Sequence, residues 1–147
     1  MITKDNIIEI LTSKDNKYAC GVADRIIAES AETDMWYELF DNVATLLSHP
    51  KSLVRNRAMG ILAGLAIWDD ENKFDSVIDE FVSHITDEKP ITSRQCIKAL
   101  AKVGKAKPVY IDKIISCMEN ADLSGYNDSM RPLLEKDIYE TKRIFYG

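Results

Sequence analysis

The residues able to do chemistry in this 147-residue chain are three cysteines, two histidines and a large charged set, and their spacing argues for recognition rather than catalysis. Cys20, Cys96 and Cys117 stand far apart, without the short paired spacing of a zinc site. They read as small hydrophobes, Cys96 at a core position, in a chain suited to a reducing compartment. His49 reads as a turn residue and His84 as a partly buried helix-face residue; neither shows a carboxylate or second histidine at metal-ligand spacing. The acidic run Asp69-Asp70-Glu71, followed by Asp75 and Asp79, lacks the central glycine and alternating ligands of a calcium loop and reads as a solvated helix start. Gly-rich phosphate loops, Walker patterns and nucleophile elbows are absent, so no catalytic, cofactor or metal site is expected.

What remains is a set of cations and aromatics suited to a partner: Arg57, Arg94, Lys98, Lys102, Arg131, Trp36 and Trp68. Each has a second reading. Arg55, Arg94 and Arg131 can pair with carboxylates of neighbouring segments and hold the structure together, a role worth about 0–1 kcal/mol per exposed pair. Trp36, Tyr37 and Trp68 can serve as core aromatics instead of interface anchors. Gly60 and Gly64, one turn apart, permit close approach of a helix or a ligand.

The elements that must position these residues follow from an internal repeat of about 36–38 residues. Tyr18-Ala19, Val54-Arg55, Thr92-Ser93 and Met130-Arg131 are equivalent points. Four and eight residues past the first member come Val22 and Ile26, Ala58 and Leu62, Cys96 and Leu100, Leu134 and Ile138. Eleven and seven residues before it come Ile7 and Leu11, Val43 and Leu47, Phe81 and Ile85; the fourth copy breaks, with Glu119 and Leu123. Steps of four are the helical period, so each unit reads as two helices whose apolar stripes face each other and their neighbours. One pair cannot bury its stripe alone; stacking supplies the missing surface.

The spacing predicts helices at 4–12, 15–31, 34–48, 51–68, 71–86, 91–104, 108–120 and 127–145. Thr33-Asp34 and Ser52 are N-cap candidates, and the segment from Lys14 to Lys17 marks the first turn. Four Pro and six Gly, with 46% hydrophobic and 29% charged residues, are values of a folded globular chain. Without an obvious linker, 1–147 reads as a single domain with units near 1–32, 33–69, 70–106 and 107–147. No stretch reaches the roughly 20 apolar residues of a membrane span, and the N-terminus lacks a signal-peptide core, so a cytoplasmic location is expected.

The run Leu46-Leu47-Ser48-His49-Pro50-Lys51-Ser52-Leu53-Val54-Arg55-Asn56-Arg57-Ala58 resembles the HEAT repeat family, in which an apolar helix end, a turn with Asp and often Pro, and a Val-Arg helix start recur. Ile85-Thr86-Asp87-Glu88-Lys89-Pro90-Ile91-Thr92-Ser93-Arg94 follows the pattern more loosely, with the Arg one place late. His49 stands where the family has Asp, and Ala19 replaces the Arg of the first unit. The resemblance implies an all-α, right-handed α-α superhelix, a HEAT-like solenoid of about four helix pairs, with the second helices on the concave side. The His-Glu pairs of metal-binding HEAT hydroxylases are absent.

Charge is divided between the two sets of helices. The first helices carry eleven acids and three bases, the second helices twelve bases and seven acids, a contrast hidden in the net charge of −5. With the resemblance, this implies a non-catalytic interaction module or scaffold that binds an acidic protein surface or peptide through a basic concave face. The alternative is nucleic-acid binding, by resemblance to HEAT-like DNA alkylation repair glycosylases; the pI near 5.1 and the lack of a matching catalytic motif argue against it. The apolar first helix and the terminal Phe145-Tyr146 predict that at least one end buries surface against the C-terminal tail, a second copy or a partner. No membrane contact is expected.

Overall fold

The computed structural model describes residues 1–147 and is all-helical, with eight α-helices, short 3-10 turns and no strand. None of its helices is long and apolar enough to cross a membrane. The chain forms two compact units, Met1–Val77 and Ile78–Gly147.

The first unit holds α1 (Ile7–Leu11), α2 (Asn16–Ser30), α3 (Phe40–Ala44) and α4 (Ser52–Leu65). α1 packs on α2 and α3, and α4 packs on α2 and α3. Asn16 and Leu11 meet Arg57, Ile27 meets Gly60, and Ser30 meets Trp68. Both helices advance together along these contacts, so α2 and α4 run in the same direction. Ile7, Leu11, Val43, Leu47, Ala58 and Leu62 are all fully buried, as the repeat predicts. Phe40 and Phe74 meet edge to face at 5.2 Å, a favoured aromatic geometry.

The second unit holds α5 (Ile78–Ser83), α6 (Pro90–Ala106), α7 (Ile111–Glu119) and α8 (Arg131–Tyr146). α6 is its centre, packing against α5, α7 and, most extensively, α8. Arg94 meets Asp137 and Gly104 meets Phe145, so α6 and α8 also run in the same direction. The Phe145 ring lies so close over Gly104 that a Cβ there would overlap its edge and displace it.

The first helices are shorter than their apolar spacing predicts, because hydroxyl side chains tighten their ends into 3-10 turns. Thr45 and Ser48 donate to the carbonyls of Asn42 and Thr45 at the end of α3. Ser83 and Thr86, 38 residues on, donate to those of Glu80 and Ser83 at the end of α5. Such back-bonding competes with the i→i−4 ladder.

The turn that follows is also built alike in three copies. Ser13, His49 and Asp87 occupy one repeat position, and each accepts the backbone N–H two residues on, from Asp15, Lys51 and Lys89, at 3.1, 3.0 and 2.9 Å. His49 therefore performs, through Nδ1, the acceptor role that Asp87 has at the equivalent position. Ser52 is not an N-cap: Lys51 holds that position without a side-chain cap, and Ser52 is the first helical residue. Asp15 is a true cap, accepting from the N–H of Tyr18.

The break in the fourth copy is an insertion. The turns before α4 and α6 are three residues long, whereas residues 120–130 separate α7 from α8. Ile114 and Met118 fill the buried positions that Glu119 and Leu123 miss, five residues earlier than the repeat spacing. The hydroxyl of Tyr126 anchors this long turn to the carbonyl of Asp87 at 2.5 Å.

The solvated start expected at Asp69-Asp70-Glu71 is corrected for Asp69, which is buried. Its carboxylate accepts the Tyr37 hydroxyl at 2.5 Å and the backbone N–H groups of Lys73 and Phe74 at 2.8 and 3.0 Å. It closes a turn in which Asn72 adopts the left-handed conformation (φ 56°), one that Asn tolerates better than most residues. Burial and the Asp69 carboxylate push the Tyr37 hydroxyl pKa well above its ordinary value. The helix expected from 71 therefore starts as a 3-10 turn at Lys73 and becomes α only at Ile78. Replacing Asp69 by Ala leaves one hydroxyl and two amides without their acceptor, with an expected loss of about 3 kcal/mol in urea unfolding; Tyr37→Phe, which removes one bond, costs about 1 kcal/mol.

Candidate partner-binding surface

The seven residues singled out by sequence separate according to what each side chain already holds. Arg57 is buried at 8% exposure, so its place on a binding face is corrected. Its guanidinium donates to the Leu11 carbonyl at 2.9 Å and to Asn16 Oδ1 at 3.0 Å, tying α4 to the turn between α1 and α2. A buried guanidinium with neutral acceptors acts as a multivalent donor that satisfies carbonyls stranded at a helix end. Arg55, two residues earlier, likewise donates to the carbonyls of His49 and Pro50.

Arg94 lies in a two-bond pair with Asp137, Nε to Oδ2 at 2.6 Å and Nη2 to Oδ1 at 3.2 Å, bracing α6 against α8. The Asp137 side chain is 8% exposed and that of Arg94 26%, so solvent screens this pair less than a surface one. Arg131 pairs with Asp128, three residues before it, at the start of its own helix. The reading that Arg94 holds neighbouring segments together is the one the geometry supports.

The two tryptophans are also occupied. Trp36 is buried; its Nε1 donates to Glu29 Oε1 at 2.8 Å, and Arg25 lies 5.9 Å from its ring centre while bonding the other Glu29 oxygen at 3.0 Å. Trp68 is half-buried and donates to the Ser30 carbonyl at 2.7 Å, the last contact between the α2 and α4 layers. Neither stands ready as an exposed anchor.

Lys98 and Lys102 remain, joined by a lysine that sequence reasoning missed. Lys105 falls one residue past the helix end expected at 104, but α6 continues to Ala106 and carries it onto the same face. Ile91, Gln95, Lys98, Lys102 and Lys105 form an exposed stripe at steps of four, three, four and three. The three ammonium groups span about 10 Å along the helix at 1.5 Å per residue, and none of them pairs with a carboxylate. A correct helix end in the sequence would have revealed the spacing.

The remaining chemical candidates do not converge. All three cysteines are free; Cys96 is buried, donates its thiol toward the Phe81 carbonyl at 3.2 Å, and is held protonated because burial pushes its pKa up. His84, contrary to the expectation from spacing, does have a carboxylate neighbour: Nδ1 lies 2.8 Å from Asp87 Oδ2. The contact links the end of the first helix to the turn acceptor. No three His, Cys, Asp or Glu side chains gather at a metal-binding distance.

No family model, curated protein or solved structure matches this chain. The functional reading therefore stands on the residues and their geometry.

Two expected outcomes separate structural cations from free ones. Arg57→Ala should lower unfolding free energy by about 3 kcal/mol by stranding buried acceptors, whereas Lys98→Ala should stay within about 0.5 kcal/mol, both read from urea midpoints. Glu29 supplies a pH signature, since Arg25 first, and Trp36 second, hold its carboxyl below its ordinary 4.5. A depressed folded pKa contributes stability that is present above the unfolded value and lost as pH falls through the folded one. The stability gap between wild type and Glu29→Gln should accordingly shrink below about pH 4.5, followed by tryptophan fluorescence.

Proposed function

We propose that this protein is a non-catalytic interaction module that recognises an acidic partner through the lysine stripe of α6. The observation that carries this reading is that Lys98, Lys102 and Lys105 share one exposed helix face and engage no carboxylate, while the arginines of the same helix layer are committed to structural bonds. Three like charges on one face repel one another and stay solvated until an anion arrives, so complementary carboxylates gain attraction without first breaking an internal pair. Ile91, 56% exposed on the same stripe, adds an apolar contact at the N-terminal end of the helix.

The same proposal includes a short right-handed α-α superhelix of the HEAT type, with the α6 stripe as its basic concave face. It is supported by the stacking of second helices in one direction within each unit and by the shared turn acceptors Ser13, His49 and Asp87.

The test is an amide chemical-shift titration of the full chain with a glutamate-rich peptide at low salt. Shifts should concentrate on residues 91–105, and Lys98→Glu combined with Lys102→Glu and Lys105→Glu should reduce affinity at least about tenfold with little change in stability. Duplex DNA binding with a log–log salt slope near about −3, in place of peptide binding, would transfer the stripe to phosphate recognition. No response at α6 to either probe would remove the stripe from function.

A further inference from the structure

Within each unit one second helix lies beside another, so each second helix has an inner flank toward its neighbour and an outer flank. α6 meets α8 at Arg94, which pairs with Asp137, and at Gly104, under Phe145; the buried Ile97 and Ala101 lie between them on the same helical stripe. α4 meets α2 at Arg57, which bonds Asn16, and at Gly60, against Ile27, and Trp68 just beyond α4 bonds Ser30; the buried Gly64 lies between on the same stripe. Advancing the α6 stripe by 38 residues gives Pro132, Glu135, Tyr139 and Lys142 on α8. Setting the α4 stripe back by 36 gives Gly21, Asp24, Ala28 and Glu32 on and just beyond α2, with Arg25 beside them. Both flanks are open to solvent. Tyr139 is 61% exposed, and a Cβ added at Gly21 meets nothing within 4 Å. A groove of about 430 Å³ lined by Tyr18, Gly21, Val22 and Arg25 opens on α2.

We propose that the open flank of α8 docks into the α2 groove of a second copy of this chain, head to tail, in the register that already joins α4 to α2 and α8 to α6. Charge complementarity selects this occupant. The Trp68–Ser30 contact maps onto Glu32 of one copy against Lys142 of the next, which have opposite signs. The Gly60–Ile27 contact maps onto Asp24 against Tyr139, a carboxylate facing a phenol hydroxyl, with the ring over the space left by Gly21. The Asp137–Arg94 pair maps onto Arg25 against Pro132, and Asp128 and Glu135 lie about one turn to either side of that proline. Arg25 and Lys142 now hold Glu29 and Glu119 in exposed pairs, which an added carboxylate joins without a buried bond being broken. The two surfaces differ, so the contact is heterologous and propagates into chains or rings instead of stopping at a two-fold dimer. One helix flank is a small interface, in the weak and transient class below about 1,200 Å².

Sedimentation of the full chain at low and high salt tests this. The weight-average mass should rise from 16.7 kDa past twice that value between about 10 µM and about 1 mM at low salt, and fall back at high salt. Gly21→Arg, which fills the groove, and Tyr139→Glu, which disrupts the α8 flank, should each be monomeric alone. Their equimolar mixture should give a one-to-one dimer, because each retains the flank the other has lost. Lys142→Glu should weaken assembly, and Glu32→Lys in the same chain should restore it. Both positions are at the surface, so this charge exchange reports on docking without depending on the bulky substitutions. A monomer at all concentrations, an assembly indifferent to both single variants, or a mixture that stays monomeric would overturn the proposal.

Discussion

A second helix in this protein is buried by another second helix lying beside it in the same direction, and much of the rest follows from that contact. α4, packed against α2 and α3, buries ten of its fourteen residues. α8, packed on α6 and α7, buries only three of sixteen. Amphipathic stripes on helices this short are marginal alone, and packing beside a neighbour within each unit buries them in a shared core. Contacts between neighbouring second helices seat side-chain tips over glycines, Ile27 over Gly60 and Phe145 over Gly104. They also call for donors to the carbonyls left at helix ends, which accounts for Arg57 and Trp68, while Arg55 serves the turn before its own helix.

The turns show that the repeat preserves a physical task more faithfully than a residue type. Ser13, His49 and Asp87 differ in size, charge and chemistry, yet each offers an acceptor to the N–H two residues on. A hydroxyl just before each of them, on Thr12, Ser48 and Thr86, bonds back into the preceding helix. The helix thus ends and the chain reverses through two adjacent side chains. Where an insertion displaces this device, Tyr126 holds the longer loop by a bond to the Asp87 carbonyl.

These structural demands also determine which charges are free to act. Stacking takes up Arg57 and Arg94, and a local pair takes up Arg131. Among the cations left over are the lysines on the solvent face of α6, whose long flexible stems keep compact, hydrated heads in solvent. A chain with an acidic balance can in this way carry a local positive face about 10 Å long.

The period of the apolar residues determined the number and order of the helices, the identity of most core positions and the absence of strands, because burial on a 3.6-residue helix leaves a periodic trace in sequence. It also placed Lys98 and Lys102 on one helix. It did not reveal that Arg57 and Asp69 are buried, that Trp36 is spent on Glu29, that His84 meets Asp87, or that Lys105 completes the stripe. Composition shows that a residue is charged or polar; its hydrogen-bond partners lie seven to 46 positions away for Trp36 and Arg57 and are chosen by packing. The helix ends were set by bonds that apolar spacing does not register, hydroxyls bonding back three residues and turn acceptors taking the N–H two residues on. The repeat was a local property and could be read; which charges remain free is the remainder after stacking has taken what it needs, and only the folded structure gives that remainder.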